Sequence, residues 1–115
     1  MILVVEDEYA IAALVLDLLQ EEGYAVALAT NGIEGLAQAQ RVHPDLIITD
    51  LMMPGMDGIR MCQTLQATPT FRTTPIVLMS AGTTKPIDQC DFVAFLHKPF
   101  EITTLLDTVE QSLQP

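Results

Sequence analysis

The chain has 115 residues, enough for one domain with a sizeable core, and half of them are hydrophobic, which excludes a disordered chain. Fifteen acidic against five basic residues leave a net charge of −10, and Arg41, Arg60, Arg72, Lys85 and Lys98 are scattered, which disfavours direct nucleic-acid binding and attachment to an anionic membrane. No apolar run approaches the roughly 20 residues needed to cross a bilayer, because charges and prolines interrupt each one.

Taken in chain order, apolar strand-like runs alternate with helical patterns. Met1 leads directly into Ile2 to Val5, which reads as a strand, and no signal or transit segment is expected before it. Tyr9 to Glu22 reads as a helix, with Ile11, Leu14, Val15, Leu18 and Leu19 at helical spacing and Gly23 as its stop. Ala25 to Ala29 is a short second strand; Thr30-Asn31-Gly32 turns into a helix over Ile33 to Val42, ended before Pro44. Leu46 to Thr49 makes the third strand and Gly58 to Ala67 the third helix, with Asp57 as its N-cap or first-turn acid and Ile59, Cys62 and Leu65 facing inward. Pro75 opens a fourth strand, Ile76 to Met79; Phe92 to Leu96 is the fifth, and Ile102 to Leu113 an amphipathic final helix. Eleven residues separate Ser80 from Phe92, barely a parallel crossover, so any fourth helix, starting at Pro86, is shortened or absent. Cys62 and Cys90 have neither disulfide-framework nor metal-site spacing and read as reduced thiols of a cytoplasmic protein.

This alternation predicts an α/β domain over residues 1–115 with a doubly wound, five-stranded parallel sheet. Right-handed crossovers restrict the topology, and the order expected is the flavodoxin-like 2-1-3-4-5. Strands one and three then lie side by side, and ligands bind beyond their carboxyl ends. Two acidic groups fall there. Asp50 closes the run Leu46-Ile47-Ile48-Thr49, and Glu6-Asp7-Glu8 follows the first strand. Charges ending buried strands are costly unless paired, so their presence asks for a function.

Mg²⁺ prefers oxygen ligands and keeps several waters, so Asp7 and Asp50 can bind it directly, Glu6 through water, and a backbone carbonyl just after Asp50 can complete the protein's share. With charge neutralised, Asp50 can attack a phosphoryl group, while the hydroxyl of Ser80 and the ammonium of Lys98 hold its oxygens. Lys98-Pro99 forces an extended or turning backbone, and the sequence leaves its cis or trans state open.

The segments ILVVEDE (2–8), DLIITDLMMPGMDG (45–58), TPIVLMSA (74–81) and FLHKPF (95–100) together resemble the receiver domains of two-component response regulators, the chemotaxis-regulator-like family, from Ile2 to the last helix. The resemblance implies that Asp50 accepts phosphate from a histidine of a sensor kinase or phosphotransfer protein. It implies Glu6 and Asp7 as the acidic pair at the Mg²⁺ site, with Met52 giving its carbonyl. Ser80 would be the switch hydroxyl, Phe95 the switch aromatic, and Lys98 the lysine of the pocket. Where Glu6 stands the family often has Asp, with Glu a familiar alternative. The partners expected are the phosphodonor and a downstream protein or fused output domain, with a second copy as a candidate dimer partner. No output domain and no turnover of an external substrate are expected for this chain. Its serious departure is the link after Ser80: Ser80 and Lys98 are eighteen apart, shorter than the family norm by about one helical turn.

Each residue alone has a plainer reading. Asp50 and Ser80 can cap turns, Lys98 can be a surface ammonium, Phe95 can be core, and Glu8 can offset the dipole of the first helix. His43 and His97 read as surface residues, and Met52, Met53, Met56 and Met61 as loop and core filling. The common register of Glu6, Asp7, Asp50, Ser80 and Lys98 favours function. Two alternatives keep the sheet and change the role. A pseudo-receiver would be an interaction module with atypical output. A haloacid-dehalogenase-type phosphatase would need an Asp two residues after its nucleophile, where Met52 stands.

Overall fold

The computed structural model describes residues 1–53, 56–82 and 89–114. Five parallel strands form one sheet: β1 (Ile2–Val5), β2 (Val26–Ala29), β3 (Leu46–Asp50), β4 (Ile76–Ser80) and β5 (Ala94–His97), in the order β2-β1-β3-β4-β5. Four helices accompany them among the described residues: α1 (Tyr9–Glu21), α2 (Gly32–Val42), α3 (Gly58–Ala67) and α4 (Ile102–Leu113). This is the flavodoxin-like arrangement expected. The short helix expected from Pro86 falls in 83–88 and lies outside the described residues.

Strand alternation divides the core into two layers. Leu3, Val5, Ile47, Ile76 and Leu78 pack with Ala39, Met61, Cys62 and Leu65 of α2 and α3. Ile2, Val4, Ile48, Val77 and Met79 pack on the other face with Val15 and Leu19 of α1 and Leu105 and Val109 of α4. The central strands β1, β3 and β4 are buried along their whole length, which is why they read as unbroken apolar runs. Leu14, grouped with the α1 core positions by spacing, is instead half exposed.

The ends of the elements follow local chemistry. Gly23 takes a left-handed φ of 93° just after α1, a conformation in which a side chain would be strained. The Glu34 amide donates to Asn31 Oδ1 at 2.8 Å, capping α2 one residue earlier than the periodicity predicts. Likewise the Arg60 amide donates to Asp57 Oδ1 at 2.8 Å, so Asp57 is the N-cap of α3. A 3-10 turn at Pro69–Phe71, unread in the sequence, ends the α3 segment and buries Phe71. β5 starts two residues later than predicted and runs one further, to His97.

Candidate functional site

Register places the site. Val5 pairs with Thr49, Asp50 with Met79, and Ser80 with His97. Glu6, Asp50, Ser80 and Lys98 therefore leave the sheet within one residue of a common row, at the switch point where connections from β1 and β3 diverge. Ladder bonds carry past the strand ends: the Leu51 amide donates to the Met79 carbonyl at 2.8 Å and the Lys98 amide to the Ser80 carbonyl at 2.9 Å. The side chains are thus anchored at hydrogen-bonded strand ends.

Three carboxylates, of Glu6, Asp7 and Asp50, each bring an oxygen within 4.8 Å of the other two. Asp50 is 5% exposed and Glu6 is 0% exposed, while Asp7 faces solvent. Lys98 reaches in from the end of β5: its Nζ lies 2.5 Å from Glu6 Oε1 and 3.3 Å from Asp50 Oδ1. The second Glu6 oxygen accepts the Glu8 amide at 3.2 Å. Both Glu6 oxygens are therefore engaged by the protein. Ser80 is buried, and its Oγ accepts the Gly82 amide at 2.9 Å. The Lys98-Pro99 peptide bond is cis.

A cleft of about 500 Å³ opens over this row, lined by Asp7, Glu8, Asp50, Met52, Ser80 and Lys98 among others. Met52 stands at its rim, 72% exposed. The backbone turn after Asp50 is closed by the Gly58 amide donating to the Leu51 carbonyl at 2.9 Å. A Cβ on Gly58 would meet the Asp50 carbonyl oxygen at 2.3 Å, so glycine is required for α3 to start this close to Asp50.

Burial dominates the electrostatics. It pushes the Glu6 carboxyl from 4.5 up to about 7, against the downward pull of the Lys98 hydrogen bond and the Glu8 amide; the Asp50 charge adds to the rise. For Lys98 burial acts the other way, but Glu6 and Asp50 outweigh it and hold the ammonium above its usual value. All five residues predicted from the common register are brought together, with Met52 beside them. Phe95 lies apart from the cleft on β5, with ring centroids 6.2 Å from Phe92 and 5.0 Å from His97. Glu8 was read only as a helix-end charge. It lines the cleft and its amide holds Glu6; the run of three acids was the available signal.

The family model of the response regulator receiver domain matches residues 2–110. The chain belongs to the response regulator receiver family. RpaA of Synechocystis, a DNA-binding dual master transcriptional regulator, is 36% identical over 117 residues, covering 98% of this receiver and 48% of RpaA. The chain spans about half the length of the curated relatives that it matches end to end. The solved chemotaxis response regulator CheY4 of Vibrio cholerae superposes with a TM-score of 0.90 at 34% identity, over 97% of both chains. The receiver domain of the sensor histidine kinase PA1611 of Pseudomonas aeruginosa, solved with a magnesium ion coordinated in its active-site cleft, gives 0.89 at 27% identity, over 97% of this chain and 95% of that one.

A hard dication fits the donors present. Receiver domains generally bind Mg²⁺ at an acidic site, and here an open cleft offers clustered carboxylate oxygens, one set facing solvent.

Proposed function

We propose that this receiver accepts a phosphoryl group on Asp50 from a phosphohistidine of a sensor kinase or phosphotransfer protein. The carrying observation is Asp50 itself: a buried carboxylate at a sheet switch point, 3.3 Å from an ammonium and clustered with the Glu6 and Asp7 carboxylates under an open cleft. In the transfer, an Asp50 carboxylate oxygen attacks phosphorus, the N–P bond of the donor breaks, and the electron pair returns to the imidazole. Lys98 turns from the carboxylates toward the phosphoryl oxygens, and Ser80 exchanges the Gly82 amide for one of them. Asp7, Asp50 and the Met52 carbonyl would hold Mg²⁺ directly and Glu6 through water, supplying charge neutralisation on the phosphoryl oxygens.

A protein donor is supported by what adjoins the cleft. An apolar groove of about 330 Å³ is lined by Ile11, Leu14, Pro99 and Phe100 and shares Glu8, Ala81 and Lys98 with the cleft rim. A donor helix seated there would bring its histidine over Asp50. The output is a change in the Ser80 loop and around Phe95, read by a downstream protein, a fused output domain or a second copy. No external substrate is turned over in this scheme, and the cytoplasm is its setting.

The test is phosphoryl labelling from acetyl phosphate or a phosphorylated kinase with Mg²⁺. Wild type should take up acid-stable, base-labile label, and Asp50→Asn should take up none. Labelling of Asp50→Asn at the wild-type rate would remove Asp50 from the role.

A further inference from the structure

A second cluster of reactive side chains lies away from the acidic cleft, where α3 meets the chain returning to β5. Gln63 Nε2 donates to the Gln89 carbonyl at 2.7 Å. Gln66 Nε2 donates to the Asp91 carbonyl, and the Asp91 amide donates back to Gln66 Oε1 at 3.2 Å. The backbone of 89–91 is thereby laid along one flank of α3, with Cys90 between its two anchors. Cys62 is four residues before Gln66 and shares that flank. Its buried thiol donates to the Asp91 carbonyl at 3.6 Å, and the half-buried Cys90 packs against the same core cluster. The two thiols lie near enough to perturb one another's titration.

We propose that Cys62 and Cys90 form a reversible disulfide that fastens the β4–β5 crossover to α3. The geometry carries this: two glutamines place the Cys90 backbone on α3, and the Cys62 sulfur points at the next peptide. A low-molecular-weight disulfide is the oxidant. Cys90, the more exposed sulfur, attacks as its thiolate; one sulfur of the oxidant leaves as a thiolate and takes the proton. The Cys62 thiolate then displaces the second half from Cys90, which leaves as another thiol. The protein loses two hydrogens and the oxidant becomes two thiols. Burial pushes both thiols up, so little thiolate is present at neutral pH and closure is slow. The clasp therefore answers sustained oxidising conditions, and the reduced form is the resting one. This rests on the cysteine geometry alone and stands apart from the phosphoryl chemistry of Asp50.

The test incubates the intact chain with excess oxidised glutathione, quenches with N-ethylmaleimide, and maps peptides by mass. The expected product is a monomer with a linked peptide pair containing Cys62 and Cys90, both closed to alkylation and reopened by dithiothreitol. Amide exchange at residues 89–91 should slow in that form. In Cys62→Ala, Cys90 should instead keep glutathione. Full alkylation of wild-type Cys62 and Cys90 after prolonged exposure would overturn the proposal. So would a stable glutathione adduct on wild-type Cys90 or a disulfide between two chains, and none of these readouts depends on the variant folding.

Discussion

Glu6 should make the metal-free receiver less stable as pH rises across neutrality. Its carboxyl stands at about 7 in the folded chain against 4.5 as a free group, because burial outweighs the hydrogen bonds that favour its charge. The raised value means that the folded state holds the proton more tightly than the unfolded state. The stabilising contribution is fully present below pH 4.5 and is lost as pH rises through about 7. At about 1.4 kcal/mol per pH unit, that displacement is worth about 3 kcal/mol, a large share of a small domain's stability. Urea unfolding in a chelator, at a series of values from roughly pH 5 to 8, reads it directly. Glu6→Gln keeps one acceptor oxygen, places an NH2 donor at the other position and removes the titration; the cost of that exchange is the same at every pH and leaves the slope of the difference untouched. The stability of Glu6→Gln minus that of wild type should therefore climb by about 2.5 kcal/mol across this range, with other titrating groups cancelling in the difference. A flat difference would refute the placement of Glu6 as a buried acid whose desolvation exceeds its pairing with Lys98.

Three further outcomes follow from the same geometry. Mg²⁺ at a hundredfold excess over its dissociation constant should stabilise the fold by about 2.7 kcal/mol, a gain diminished in Asp7→Asn; a melting temperature indifferent to millimolar Mg²⁺ would contradict the acidic site. Gly58→Ala drives a Cβ to 2.3 Å from the Asp50 carbonyl oxygen and 3.0 Å from Leu51 Cα. Both are backbone atoms that cannot swing aside, so urea unfolding should show a loss of about 1–3 kcal/mol, together with slower labelling of Asp50. Asn31→Ala removes the acceptor of the Glu34 amide and should cost about 1 kcal/mol in thermal unfolding while leaving labelling unchanged.

Much of this was legible in the sequence because neighbouring signals agreed. α3 was bounded to the residue, from Gly58 to Ala67 with Asp57 before it, and α4 by periodicity alone. β1, β3 and β4 read as strands because burial on both faces leaves unbroken apolar runs. β5 was misplaced because Phe92 carries strand propensity, whereas pairing with β4 begins only at Ala94 opposite Val77. Leu14 shows the limit of periodicity: it falls on the helical stripe yet lines the apolar groove beside the cleft. The ion pair between Glu6 and Lys98 was least legible, since the partners stand ninety-two positions apart and only the sheet order brings them together. Nor does the spacing of Cys62 and Cys90 reveal that α3 glutamines draw them together.

The site is built at a cost to the fold, and the position of Lys98 shows how that cost is contained. With Glu6, Asp7 and Asp50 all ionised, three negative charges face one ammonium, and two of the carboxylates are nearly or wholly removed from water. An isolated buried charge of this kind is far more expensive than a hydrogen-bonded one. Every buried side-chain nitrogen and oxygen among the described residues has a hydrogen-bond partner, so the strain is one of excess charge and not of unmet hydrogen bonds. Excess charge can be relieved from outside, by a proton on Glu6 or by a dication among the carboxylates, whereas an unmet hydrogen bond in the core could not. The ends of β1, β3, β4 and β5 bring these groups together through strand register. A cleft that stays short of positive charge at neutral pH is thus a direct consequence of strand register, and under the proposed function it is this shortage that a hard cation would relieve.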